Sequence, residues 1–423
     1  MNTARTALVT GLALALIATP ARAQRADSSL AQPWTREVIQ SKKLGTERPI
    51  FVVTPSSYRW MSPARYPVLL LLDADDDDQF AAARANIAFL AGRGAIPEII
   101  VVGIPNGKDR MHDLSPPTTG KTRKMAPTGG GADAFVDFLT DEVVPLVQAR
   151  YRALPTTILA GHSLGGLLGV HVAATHSGKF AGIVAMSPSL QWNDSTLIVP
   201  YANAIARSPA KLRLFATSGG LEPVIDNTTR PFAALLDSLH PANVAFKYQR
   251  YPTNDHGLTP LRSLVDGLTF VFEPIARQSW PIYTWFQTRL GADSLTAADS
   301  VAMVASIVDT ESRYARGAAT LGLPETLDRG VLNDAGQISL YLKRPGWAVW
   351  SFRRNVEKYP EWAGAHNNLA NALLTVADTN GARKEFRTAA DIGKRNGDTA
   401  AAEMAEAKLK ALSTPVQAGK PKP

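Results

Sequence analysis

From Glu37 to about Phe272, eight short apolar runs alternate with segments whose apolar residues recur every three or four positions. That alternation constrains the fold more than any other feature, because strand-period and helix-period segments in turn build a sheet covered by helices. The runs are Glu37–Ser41, Pro49–Val53, Pro67–Leu72, Glu98–Gly103, Thr157–Ala160, Gly182–Met186, Leu212–Thr217 and Ala245–Tyr251. Those that are apolar throughout, such as Val68-Leu69-Leu70-Leu71-Leu72, suit strands buried on both faces, as in a parallel sheet. Helical spacing is read over Gln79–Leu90, Asp133–Arg150, Leu164–Thr175, Arg230–Leu239 and Leu258–Phe272. The predicted class is α/β, with about eight mostly parallel strands. Asn106–Gly131, rich in Gly, Pro, Thr and Lys, breaks both periods and reads as a long loop near a binding site.

Flanking segments read differently. Arg5, an apolar run over 7–18 and the small-x-small site Ala21-Arg22-Ala23 have the layout of a secretory leader, residues 1–23, too short to span a bilayer. The mature chain is then expected outside the cytoplasm, periplasmic or secreted. Residues 24–278 form the expected catalytic domain. Over 279–412 the chain becomes Ala-rich and repeats at a 34-residue offset: Asn333 matches Asn367, Leu340 matches Leu374, Ala348 matches Ala382, and Phe352 matches Phe386. That period resembles a tetratricopeptide repeat, a helical array able to hold a protein partner. The aromatic stretch Trp280–Phe286 is expected to pack between the two parts, with the helices docked beside the active-site entrance. Residues 413–423 read as a frayed tail.

With no cysteine there is no disulfide, thiolate nucleophile or cysteine-held metal. Removing Arg5 and Arg22 from 45 basic residues leaves 43 against 37 acidic ones, too weak and scattered a surplus for nucleic acid. The chemistry rests on Ala160-Gly161-His162-Ser163-Leu164-Gly165-Gly166, a Gly-x-Ser-x-Gly element between a strand and a helix. Small residues on either side allow a tight turn that exposes the Ser163 hydroxyl, and the new helix aims its N-terminal dipole and the Leu164 N–H at developing oxyanion charge. His256, between the last strand and last helix, is the expected base. His162 is expected to point away from Ser163, and His112, His171, His176, His240 and His366 read as surface or packing residues. Glu222, after the penultimate strand, is the expected acid, with Asp226 the competitor and Asp255 a weaker one. The acidic run Asp75–Asp78 reads as a helix N-terminus, not a metal site. No metal or cofactor is expected.

These residues, with Thr54-Pro55-Ser56-Ser57-Tyr58, Tyr66–Asp73, Val102-Gly103-Ile104-Pro105-Asn106, Arg110, Asp113-Leu114-Ser115-Pro116 and Ser187-Pro188-Ser189-Leu190-Gln191-Trp192, resemble the esterase D-like family of α/β hydrolases. Enterobactin-type siderophore esterases, feruloyl and acetyl-xylan esterase modules and mycolyltransferases belong to it. The resemblance implies a triad of Ser163, Glu222 and His256, a second oxyanion N–H at Asp75, and Trp192 lining the substrate entrance, although an aromatic there could equally be packing. Asp75 stands in Leu72-Asp73-Ala74-Asp75, where the family commonly has Leu-Asp-Gly. The expected activity is hydrolysis of a small-molecule ester through an acyl-enzyme. The alternatives are acyl transfer to an alcohol, or a non-catalytic interaction protein acting through the helical tail.

Overall fold

The computed structural model describes residues 34–59, 64–276, 280–289 and 296–413. The expected leader and residues 414–423 of the expected tail lie outside the described residues. All eight expected strands form, in one sheet: β1 Trp34–Gln40, β2 Glu47–Val53, β3 Tyr66–Leu72, β4 Ile100–Ile104, β5 Ala153–His162, β6 Gly182–Met186, β7 Leu212–Gly219 and β8 Val244–Tyr251. Their order is β1-β2-β4-β3-β5-β6-β7-β8. β1 pairs antiparallel with β2, and β2 with β4; the rest is parallel. β3 lies mid-sheet and is buried at every position, whereas the edge strand β8 is largely half-exposed, matching its Phe246-Lys247-Tyr248-Gln249 sequence.

Side chains leaving a strand alternate between faces, so one run feeds two cores. Val68, Leu70 and Leu72 pack with Phe135, Leu139, Leu167 and Phe232. Leu69 and Leu71 pack on the other face with Phe80, Ile87, Leu264 and Leu268. The covering helices are α1 Asp77–Gly92, α2 Arg110–Leu114, α3 Gly120–Met125, α4 Ala132–Asp137, α5 Val144–Arg150, α6 Leu164–Thr175, α7 Ile198–Ala206, α8 Pro223–Ser238 and α9 Thr259–Val271. The acidic run does start a helix: the Asp76 side chain accepts from the Gln79 N–H at 3.0 Å, and Asp77 and Asp78 fill the first turn.

Three expectations change. The predicted loop 106–131 contains α2 and α3, five and six residues long, too short to display a helical period. The single helix expected over Asp133–Arg150 is interrupted by a π turn at Phe138–Val143, just before Pro145, which has no N–H for the helical ladder. Finally, the helix read over Arg230–Leu239 begins earlier: α8 starts at Pro223 and carries Pro231 inside it.

Beyond the sheet lie α10 Trp280–Gln287, α11 Ala297–Leu321, α12 Arg329–Tyr341, α13 Pro345–Lys358, α14 Ala363–Thr375, α15 Thr379–Asn396 and α16 Thr399–Ser413. The starts of α14 and α15 fall 34 residues after those of α12 and α13, the offset read from the sequence. The small matched residues let helices approach: Ala348, Phe352, Ala382 and Phe386 share one core with Leu369 and Leu373. Of the aromatic stretch expected between the two parts, Ile282 and Phe286 are described in a core of their own. Both pack with Met303, Ile307, Leu327 and Leu332 inside the helical layer. Docking is made by the end of α11, where Ala318, Leu321 and Leu323 join the core beneath β3 and β5. The Thr156 hydroxyl contacts the carbonyls of Leu321, 3.0 Å, and Gly322, 2.7 Å. Thr156 lies near the start of β5, whereas Ser163 follows its end, so the helices dock away from Ser163 and not beside it.

Candidate active site

Five consecutive strands of the sheet, β3, β5, β6, β7 and β8, deliver the expected residues at their C-terminal ends. Asp73, Ser163 and Ser187 immediately follow β3, β5 and β6 and hold φ of 59°, 60° and 45°. Left-handed backbone at a residue with a Cβ costs on the order of 1–3 kcal/mol, and these three residues stand on neighbouring strands. The Ser163 turn is fixed on both sides: its N–H donates to the Met186 carbonyl, 2.9 Å, and its carbonyl accepts from the Ser189 N–H, 3.1 Å. The glycine spacing follows from contact distance. A Cβ on Gly161 would stand 2.5 Å from the Gly165 carbonyl oxygen, so strand and helix can meet there only through glycine. Ser163 Oγ lies 3.2 Å from Ser189 Oγ, and among the described residues it is not hydrogen-bonded to His256.

Glu222 and His256 are brought together by two turns that interlock. Gly219, which ends β7, and Gly220 press on the loop after β8: a Cβ on them would lie 2.3 Å from the carbonyl oxygens of Asn254 and Pro252 respectively. Glu222 Oε2 meets His256 Nδ1 at 2.5 Å. Its Oε1 accepts from Ser187 Oγ at 2.6 Å and from the Gly219 N–H. Burial would raise the Glu222 carboxyl, but the bonds from His256, Ser187 and Gly219 outweigh it and hold it below its ordinary value. Asp226 belongs to a separate network: it accepts from Ser218 Oγ at 2.7 Å and pairs with Arg250 at 3.0 Å. Asp255 accepts from the Leu258 N–H, 2.9 Å, in the turn just before α9.

Across the site, the turn after β3 carries Asp75. The neighbouring amides of Ala74 and Asp76 donate to the carbonyls of Ile104 and Asp73, while among the described residues the Asp75 N–H has no acceptor. Sequence reasoning gave no role to Arg110, which clamps this turn: its guanidinium binds both Asp73 oxygens, 2.5 and 2.9 Å, and the His162 carbonyl, 3.2 Å. Asn106 Nδ2 adds bonds to Asp73 and Asp75. An ion pair within the resembling blocks was the signal available for Arg110. Ser187 and Ser189 lay in a recognised block without an assigned role. The ring of His162, expected to turn away from Ser163, lies 4.3 Å from that of His256, tilted by 41°. Burial first, and the neighbouring His256 second, push its pKa down to about 4, so it is neutral at neutral pH.

Trp192, weighed between the entrance and packing, is only 8% exposed within the main core. Its indole N–H donates to the Pro116 carbonyl at 3.1 Å, so it supports the 106–131 segment from beneath. A cavity of about 300 Å³ opens beside the site, lined by Asp73, Asp75, Asp76, Gln79, Asn106, Arg110, His162, Gly257 and Pro260. A larger one, about 390 Å³, lies between α1 and the α11–α12 region, at the docking end of the sheet and away from this chemistry.

The sheet order and the serine elbow define the α/β-hydrolase fold. The Esterase family model matches residues 41–255, just over half of the sequence, and the chain belongs to that family. Siderophore triacetylfusarinine C esterase of Aspergillus fumigatus is 34% identical over 164 residues, covering 35% of this chain and 53% of that protein. Ferri-bacillibactin esterase BesA of Bacillus subtilis is 32% identical over 158 residues, 34% of this chain and 54% of that protein. The chain thus spans about half the length of the curated relatives it matches. Among solved structures, an IroE-like serine hydrolase from Shewanella oneidensis superposes with a TM-score of 0.61 at 24% identity, covering 74% of this chain and 96% of that one. An uncharacterised protein from Capnocytophaga ochracea covers 90% of this chain and 99% of its own, with a TM-score of 0.55 at 17% identity. Both likenesses concern the fold.

Proposed function

We propose that the chain is a serine esterase that hydrolyses small-molecule carboxylic esters, with siderophore-type esters the first class to try. The observation carrying this reading is the bond of His256 Nδ1 to a buried Glu222 beside a serine on a strained strand-to-helix turn. His256 takes the Ser163 proton as Oγ attacks the ester carbonyl, and returns it to the departing alcohol. Glu222 keeps the Nδ1 proton in place and stabilises the imidazolium. The Leu164 and Asp75 N–H groups receive the oxyanion. Water then releases the acyl group from Ser163. The open Ser163–His256 link fits a free enzyme, in which catalytic bonds close only with substrate. Siderophore esters are favoured by the names of the relatives. Export to the periplasm or beyond rests on the leader read in residues 1–23, and among the described residues no helix is long and apolar enough to cross a membrane. The C-terminal helices are read as a tetratricopeptide-like region docked on a hydrolase domain ending near residue 278.

The test is covalent labelling with a fluorophosphonate, alongside hydrolysis of siderophore, feruloyl, acetyl-sugar and short acyl esters. Label is expected on Ser163, and Ser163→Ala should lower hydrolysis by about 10⁴ to 10⁶. A Ser163→Ala protein retaining more than about a tenth of the activity would remove Ser163 from the role, given the losses usual for such groups.

A further inference from the structure

Away from the serine, three ligand-bearing side chains converge where α4 begins and α6 ends. Asp133 Oδ1 lies 2.7 Å from His171 Nε2 and 3.8 Å from His176 Nε2, and one ligand atom from each residue falls within 4.8 Å of the others. We propose that Asp133, His171 and His176 bind a divalent transition-metal ion of the zinc type, which ties the start of α4 to the end of α6.

The hydrogen bonds around the rings carry the argument. The Thr175 hydroxyl donates its one proton to the His171 carbonyl, 2.7 Å, so towards His176 Nδ1, also 2.7 Å, it can only accept. The Nδ1 proton of His176 is thereby fixed, and in the neutral ring the lone pair sits on Nε2, facing the Asp133 carboxylate with no proton between. Two electron-rich atoms held in this way are completed by a cation. His171 is anchored as firmly: it is 4% exposed and its Nδ1 meets Tyr201 Oη at 2.7 Å. A hydrogen bond on the far nitrogen is the usual support of a metal-ligating histidine. Tetrahedral zinc, with bonds of about 2.0–2.1 Å, places neighbouring ligand atoms about 3.3 Å apart. The shorter contact must therefore open by about 0.6 Å and the longer close by about 0.5 Å. Asp133, 67% exposed at its side chain, can supply both by turning. Two imidazoles and one carboxylate suit zinc, nickel or copper over calcium or magnesium, and leave a fourth position for water.

His176 stands about 20 Å along α6 from Ser163, so the ion would brace the fold and take no part in ester chemistry. What it joins is the helix following the 106–131 segment to the helix following the nucleophile. The test uses the untagged full chain, stripped with a chelator and titrated with Zn²⁺ by calorimetry, with melting temperature as a second reading. One ion per chain and a higher melting temperature are expected, both weakened at least about tenfold in affinity by His176→Gln and by Asp133→Asn, as for lost metal contacts. Cobalt substitution of the unmutated chain should give the visible bands of a tetrahedral site, a reading that does not depend on how the variants fold. No saturable binding, or binding that both variants leave unchanged, would overturn the site. Neither reading involves esterase activity, so the proposal stands or falls apart from the triad.

Discussion

Replacing Glu222 by glutamine keeps the shape of the side chain and alters only what its two ends can do. In the protein both carboxylate oxygens accept: Oε2 faces His256 Nδ1, and Oε1 takes the Ser187 hydroxyl and the Gly219 N–H. A glutamine has one acceptor end and one donor end. With its oxygen towards Ser187 and Gly219, its NH₂ faces His256, whose Nδ1 must then accept. The proton moves to Nε2, and the ring can no longer take one from Ser163; in a comparable triad this tautomer error costs about 10⁴ in kcat. With the amide reversed, its NH₂ confronts the Gly219 N–H in a buried pocket, a donor–donor clash worth about 1–3 kcal/mol. Even this orientation lacks the charge that stabilises the imidazolium. Glu222→Gln should therefore lower kcat by about 10³ to 10⁴ with KM little changed. Asp226→Asn, which disturbs only Ser218, Tyr248 and Arg250, should leave kcat near that of the parent. Steady-state rates on a chromogenic ester, with melting curves to show that both variants fold, make the comparison. If Asp226→Asn were the more damaging, or Glu222→Gln kept above a tenth of the rate, the tautomer argument would be wrong.

The same geometry sets other expectations. Gly161→Ala should abolish activity and lower the melting temperature, because its Cβ would meet the Gly165 carbonyl oxygen at 2.5 Å; a variant with parental rates would show that the elbow is looser than described. The carboxyl of Glu222 is held below its ordinary 4.5, so its stabilising contribution is complete above that value and lost as pH falls through the depressed one. Denaturant titrations of the parent and Glu222→Gln should therefore converge as pH falls below 4.5, and a constant gap would contradict the shift. Ending the chain after residue 276 should lower stability, since Leu321 and Leu323 leave the core at about 2 kcal/mol each, while fluorophosphonate still labels Ser163. An unchanged melting temperature would show that the helical region contributes nothing to the hydrolase core.

Most of the sheet was legible because its information is local. Leu69 and Leu71 bury one face of β3 and Val68, Leu70 and Leu72 the other, and that continuous run admits little else. The elbow was equally legible, since Gly161 answers to the Gly165 carbonyl four residues along the chain. What escaped depended on distant partners. Arg110 finds Asp73 across 37 residues, and Ser187 finds Glu222 across 35; nothing in either local pattern fixes those pairings. Trp192 stayed open for a related reason: an indole is equally at home at an entrance or under a loop, and the Pro116 carbonyl it bonds is 76 residues away.

The distribution of backbone strain joins these observations. Asp73, Ser163 and Ser187 could each relax in isolation, yet each is held by bonds arriving from a neighbouring strand end. Arg110 and Asn106 hold Asp73, the Met186 carbonyl and Ser189 amide hold Ser163, and Glu222 and Thr217 hold Ser187. The serine turn is thus one of three strained turns that brace one another, and the residues bracing them are those that also position the acid and the Asp75 amide. Loosening any one turn should therefore be felt at the other two. This coupling explains why a site assembled from five strands can hold Ser163, His256 and the Asp75 amide in register without a cross-link, and why the docked helices can press on the opposite ends of the same strands without entering the site.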